Sequence, residues 1–316
     1  MNTDGREKLR AGVLGLAVGD AFGMPFECGK RGAFDIYAGS LQPDGSRQMR
    51  GYRPGDPAWF YEENGEMAAG IWTDDTAMTL AELESVARLG RVDPDDIMRN
   101  FCRWHYEGAF SATGTAIGQG KQTVNALTRY KAGTPAADCG GRGERDNGDG
   151  SLMRMLPFAF LPAMLARDGV TVRALSSLTH GHPVSVTACE IYLVLAEALI
   201  AGADRALLRP LLEDRAAPYG RLPQVPDLPQ EEISSSGYVV SALEASVWCL
   251  FTAESFEDCV LRAVQLGGDT DTIAAIAGSL AGLLWGMDAI PAQWKEALFR
   301  REEILALCDR FAAVAE

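Results

Sequence analysis

The sequence predicts an all-α fold in a single domain spanning residues 1–316. Three observations carry this. Apolar residues recur at helical spacing in segment after segment. No convincing run of alternating apolar and polar residues marks a strand. Hydrophobic residues make up 47% of the chain, enough to bury a core of that size.

In chain order, residues 7–19 and 76–90 read as amphipathic helices, followed by 95–107, 119–131 and 151–167. Residues 183–203, "PVSVTACEIYLVLAEALIAGA", are apolar nearly all round, which places this helix centrally. Residues 238–252, 256–266, 272–286 and 291–314 complete the set. In 272–286, Ala274, Gly278, Gly282 and Gly286 recur every four residues and form a smooth stripe, the signature of a closely approaching helix. Long loops are expected at 36–71, 132–150 and 204–236. Loops of this length in a compact domain are usually functional or mobile.

Composition narrows the partners. The formal charge of -14 argues against nucleic acid or an anionic membrane. Seven scattered cysteines with no C-x-x-C pair read as reduced thiols in a cytosol. The N-terminus carries Asp4 and a short, glycine-broken apolar run, unlike a signal peptide. The richest apolar run, 273–286, is about 14 residues, short of the roughly 20 that span a bilayer.

Two clusters carry the chemistry. "WTDDTAMTL" sets Thr73, Asp74, Asp75 and Thr76 at one helix start, and "GGDTDTIAA" sets Asp269, Thr270, Asp271 and Thr272 at another. Helix capping accounts for one such residue per start. It accounts poorly for paired aspartates, whose charges repel. If the two starts meet, four carboxylates converge and only cations make that tolerable. Asp and Thr oxygens suit Mg²⁺, Mn²⁺ or Ca²⁺. A shared metal site is the favoured reading, with plain caps as the other.

Three further segments are glycine-rich helix starts: "GLAVGDAFGMPFE", ending at Glu27; "TGTAIGQGKQTVNAL", with Gly118 and Gly120; and "GDGSLMRMLP", with Asp149, Gly150 and Ser151. Free amides at a helix start bind phosphate, and glycine admits a ligand to the backbone. Tight turns or close packing explain each segment about equally well. No P-loop or dinucleotide fingerprint is present. "THGHP" holds His180 and His182, and no nucleophile–base triad can be drawn.

Taken together, the five motifs "GLAVGDAFGMPFE", "WTDDTAMTL", "GDGSLMRMLP", "THGHP" and "GGDTDTIAAIAGSLAGLLWG" resemble the ADP-ribosylglycohydrolase family from about residue 9 to 287. The resemblance implies an orthogonal multi-helix bundle with a cleft holding two Mg²⁺ or Mn²⁺. It implies ligands at Thr73, Asp74, Asp75, Asp269, Asp271 and Thr272. Asp74, Asp75 and Asp269 would also act in catalysis. Glu27 stands where some relatives carry a glutamate that coordinates metal or acts in catalysis. Gly118, Gly120, Asp149, Gly150, Ser151 and His180 would contact substrate, with the 148–151 turn cradling a pyrophosphate. The implied reaction is hydrolysis of ADP-ribose from a protein side chain, in the cytoplasm. The partners are then an ADP-ribosylated protein or ADP-ribose, with no nucleic acid and no membrane.

Two departures bear on specificity. Relatives commonly read G-N-G-S where this chain has Gly148-Asp149-Gly150-Ser151. Arginine-specific relatives often read F-D-I-G where this chain has G-Q-G, with Gly118 in the aspartate's place. That is nearer the pattern of relatives acting on serine-linked or polymeric ADP-ribose. Arginine linkage is put first, with serine or another linkage open. Of the two carboxylates left to serve a departing guanidinium, Glu27 is expected at the mouth of the metal cleft. Asp149 is expected to belong to the phosphate turn, while Gly118 leaves room for substrate. Two other functions fit the same resemblance: an immunity protein occluding an ADP-ribosylating toxin, with loop 36–71 as its tool, and a crystallin-like structural relative.

Overall fold

The computed structural model describes residues 1–36, 42, 45–213 and 217–315. Part of the 36–71 loop lies outside the described residues. Among those described there is no strand, only isolated bridges such as Gly141–His180 and Gly148–Tyr238. The long helices are α1 (Thr3–Gly23), α2 (Asp74–Leu89), α3 (Pro94–Glu107) and α4 (Lys121–Lys131). Two short helices follow, α5 (Pro162–Asp168) and α6 (Val172–Ser176), then α7 (Pro183–Ile200) and the single turn α8 (Arg205–Leu208). The chain closes with α9 (Val239–Thr252), α10 (Phe256–Gln265), α11 (Thr270–Trp285), α12 (Ala292–Ala297) and α13 (Arg301–Val314).

The spine is the antiparallel pair α1–α11. A Cβ on Gly278 would fall 2.3 Å from the Gly15 carbonyl oxygen, and one on Gly282 would fall 2.2 Å from that of Ala11. Reciprocally, a Cβ on Gly19 would fall 2.0 Å from the Ala274 oxygen, and one on Gly23 would fall 2.4 Å from that of Thr270. The stripe on α11 is therefore buried, and its partner is a matching stripe, Ala11-Gly15-Gly19-Gly23, on α1. The two backbones touch without side chains between them. Glycine costs each helix roughly 1 kcal/mol per site in propensity, which close packing along the seam offsets. Thr270 Oγ1 donates to the Gly23 carbonyl at 2.8 Å, and Tyr192 Oη and Ser279 Oγ meet at 2.7 Å, tying α7 to α11. Gly286 does not extend the stripe: it ends α11 with φ 81° and would meet nothing. Gly282→Leu should lower stability by about 3 kcal/mol or more, because the added carbons meet backbone that cannot rotate away. Urea titration measures it, and an unchanged midpoint would contradict the seam.

Three expectations are corrected. Residues 151–167 do not form one helix: 3₁₀ turns at Leu152–Arg154 and Leu156–Phe160 precede α5. Pro157 and Pro162 each remove an amide that a continuous α-helix would need. Residues 291–314 break into α12 and α13, with Arg300 in the left-handed region at φ 48°. Finally, α7, 18 residues with mean hydropathy 1.6, is long and apolar enough by length and composition to cross a membrane. Most of that window is buried inside the protein, against α9 and α11 among others, as in a core helix. All seven cysteines are free thiols.

Candidate metal centre and cleft

The seam places the N-terminus of α11 beside the C-terminal half of α1, and the N-terminus of α2 joins them. Asp20, fully buried on α1, is the hub. Its carboxylate accepts from the Thr73 amide at 2.9 Å and hydroxyl at 2.9 Å, and from the Thr76 amide at 3.0 Å and hydroxyl at 2.6 Å. Burial pushes its pKa up to about 6, against those four bonds, which pull it down. Asp20 therefore caps α2 from another helix, while the Thr73 side chain makes no cap bond of its own. Asp269 makes none at α11 either. Capping does not explain these clusters. Asp20 is a residue that sequence reasoning passed over. Its signal was a lone carboxylate inside the apolar, glycine-rich "GLAVGDAFG". Asp20→Ala strands two buried amides and two hydroxyls, and should cost about 2 kcal/mol or more in a metal-loaded urea titration.

Five carboxylates converge in two overlapping groups. Asp20, Asp75 and Asp271 offer oxygens all within 4.8 Å of one another, and so do Glu27, Asp269 and Asp271. Asp271 belongs to both. Burial raises the pKa of Asp271 first, then the charge of Glu27. Burial likewise leads for Asp74 and Asp75, with the charge of Asp20 next. Thr73 Oγ1 lies 3.0 Å from Asp75 Oδ2, and the Thr272 amide donates to Asp271 Oδ1 at 3.0 Å. Buried carboxylate oxygens without a hydrogen-bond partner are unusual. Three occur here, on Glu27, Asp75 and Asp149. Hard oxygen donors, crowded and unsatisfied, fit divalent cations.

Glu27 is fixed, not on a free loop. The Cys28 amide donates to the Gly268 carbonyl at 2.7 Å, and the Gly268 amide to the Gly29 carbonyl at 2.8 Å. Gly267 and Gly268 hold φ of 71° and 74°, which only glycine adopts freely, and this bend delivers Asp269 to Glu27. Burial, then the Asp269 charge, raises the Glu27 pKa well above its usual value.

Asp149 lies beside these carboxylates. Its carboxylate is buried against Asp269 and raised by burial and that neighbour, so it joins the acidic cluster. Gly118 packs against Asp74, since a Cβ there would fall 2.4 Å from Asp74 Oδ1, and it also lines the cavity beside Glu27. Gly120 is exposed at the start of α4 with no side-chain cap. Gln122 Nε2 donates to the Arg145 carbonyl at 2.8 Å, and Gln122 Oε1 accepts from the Gly148 amide at 3.4 Å, which joins α4 to the 148–151 turn. A Cβ on Gly150 would fall 2.7 Å from the His180 ring. The Ser151 hydroxyl turns inward, accepting from Ser176 Oγ at 2.9 Å beside Cys189. The Ser151 side chain is wholly buried. A cavity of about 430 Å³ opens between Glu27, the 115–120 loop and an aromatic wall of Phe60 and Tyr61.

Comparisons agree with this geometry. A sequence profile for ADP-ribosylglycohydrolase matches residues 1–316. The chain is 30% identical to the ADP-ribosylarginine hydrolase Tri1 of Serratia proteamaculans, over 98% of this chain and 80% of that one. It is 31% identical to the ADP-ribosyl-[dinitrogen reductase] glycohydrolase of Rhodospirillum rubrum, over 94% and 92%. A solved structure described as an ADP-ribosylglycohydrolase-related protein complex superposes with a TM-score of 0.76 at 30% identity, over the full length of both chains. An all-helical frame, a carboxylate cluster drawn from three helix segments, and whole-length similarity of sequence and structure make this chain a member of the ADP-ribosylglycohydrolase family.

Proposed function

We propose that the protein is a divalent-metal-dependent hydrolase that releases ADP-ribose from modified protein side chains, arginine-linked first. The observation that carries this is the pair of acidic groups sharing Asp271, with unpartnered oxygens on Glu27, Asp75 and Asp149. The similarity to the ADP-ribosylarginine hydrolase Tri1 supports arginine as the linkage. Thr73, Asp74, Asp75, Asp269, Asp271 and Thr272 would hold two Mg²⁺ or Mn²⁺, with Asp20 and Glu27 alongside. Ions bound there supply positive charge that neutralises the carboxylates, and Lewis acidity toward the distal ribose hydroxyls.

The protein's own groups do the rest. Hydrolysis adds water oxygen to C1″ as the bond from C1″ to the side-chain nitrogen breaks, through an oxocarbenium-like state. Glu27 Oε2 accepts a proton from the attacking water, and the departing nitrogen gains one. Carboxylate oxygens of the cluster that the ions leave free would stabilise the positive charge developing at C1″. The α4 start and the Gly150 amide of the glycine turn would bind the pyrophosphate, the Gly148 amide being taken by Gln122 Oε1 at 3.4 Å. Seven free thiols support cytoplasmic residence.

The test is ADP-ribose release from modified arginine, modified serine and polymer, with and without EDTA. Metal-dependent release from arginine alone is the expected result. Release only from serine or polymer would overturn the linkage, and release in excess EDTA would overturn the metal dependence. Tight binding without release would favour occlusion.

A further inference from the structure

Beneath the 148–151 turn lies a polar chain that the reaction above does not use. Arg154, buried completely, pairs with Glu82 of α2 and donates through Nη2 to the Leu175 carbonyl at 3.0 Å and to Thr179 Oγ1 at 3.1 Å. Thr179 Oγ1 in turn lies 2.9 Å from Nδ1 of His180. Each link constrains the next. A guanidinium can only donate, so Thr179 Oγ1 accepts from Arg154. The Thr179 hydroxyl proton then needs an acceptor, because the residue is wholly buried. The one within reach among the described residues is His180 Nδ1. If Nδ1 carried the proton instead, the Thr179 hydroxyl would be left with no acceptor, at a cost of about 1–3 kcal/mol.

We infer that Glu82, Arg154 and Thr179 lock His180 as the Nε2–H tautomer, so that the ring presents a neutral donor to an anionic, phosphate-bearing ligand held at the Gly148–Gly150 turn. Nε2 faces that turn: a Cβ would stand 3.2 Å from it on Gly150 and 3.4 Å on Gly148. Among the described residues, the ring's one hydrogen bond is that of Nδ1 to Thr179. Burial and the Arg154 charge hold the His180 pKa down at about 3, so the ring stays neutral. A fixed neutral donor suits a pyrophosphate whose charge the metal site already shares. Thr179 and Arg154 are then positioning residues acting through His180. The ligand half of this inference rests on the proposed function; the tautomer half does not.

Nitrogen-15 NMR of the imidazole, with His180→Gln for assignment, reads the tautomer directly. Wild type should show a protonated Nε2 and bare Nδ1. Thr179→Val, close in volume, should lose that pattern, and Thr179→Ser should restore it. Titration with ADP-ribose should give a Kd weakened on the order of tenfold in Thr179→Val and near wild type in Thr179→Ser. A protonated Nδ1 in wild type overturns the lock. A normal tautomer with unchanged affinity in Thr179→Val overturns its link to the ligand. Wild type that does not bind ADP-ribose refutes the ligand half and the functional reading together, while the NMR pattern still decides the lock.

Discussion

EDTA should abolish turnover, and restoring Mg²⁺ or Mn²⁺ should raise the thermal midpoint by roughly 5 °C or more near saturation. The reason is the crowding described above. With no cation, Asp20, Asp74, Asp75, Asp149, Asp271 and Glu27 each have a pKa raised first by burial. Raised pKa values mean that the folded state holds more protons than the unfolded one above the ordinary carboxyl range. Stability of the chelated protein therefore falls as pH rises, for Asp20 between about 4 and 6. Metal reverses the trend, because its ligands must be deprotonated to bind. The increment in midpoint from Mn²⁺ should grow from pH 5 to pH 7.5. Asp271→Asn, removing the member common to both groups, should eliminate that increment and lower kcat at least 10²-fold. A chelated protein whose midpoint ignores both pH and metal would sink the reading of the cluster as a cation site.

Glu27→Gln should lower kcat by on the order of 10²-fold or more on an ADP-ribosylated arginine substrate, with KM changed little. Asp149→Asn should also be costly, since its carboxylate lies against Asp269. The two differ in what they lose. Glu27 borders the open cavity, where a water and a departing side chain have room. Asp149 faces inward to Asp269, so its loss should appear mainly as weaker metal-dependent stabilisation. Calorimetry with Mn²⁺ alongside steady-state kinetics separates the effects. Full turnover in Glu27→Gln with none in Asp149→Asn would reverse the two roles.

The helices were legible because their apolar periodicity is strong. Eight of the ten predicted segments match one observed helix to within about four residues at each end, and the two misses have local causes. Proline broke 151–167, and a left-handed Arg300 split the last segment. The carboxylate pairs were legible because adjacent aspartates are unnecessary for a cap. Asp20 was not, because its cap bonds run to residues 53 and 56 positions away. Nor could spacing show which way a side chain turns. Ser151 points into a hydroxyl network, Asp149 into the cluster, and Gly118 makes room for Asp74, all of which depend on long-range packing.

The backbone contact between α1 and α11 also acts as a gauge for the chemistry. Asp20 and Glu27 follow from one helix of the pair, Asp269 and Asp271 from the other. A slip of one turn along the seam would displace the two sets by about 5.4 Å, more than twice the length of a bond from a hard cation to oxygen. Interlocking glycines leave no intermediate register, so the distance between ligands is machined by residues up to four turns away. Errors in that gauge would surface first as calibration faults. A methyl at Gly19, which would meet the Ala274 oxygen at 2.0 Å, pries the helices apart at the level of Asp20. Such a chain could fold, keep every acidic side chain, and still hold its carboxylates at the wrong spacing for the proposed ions.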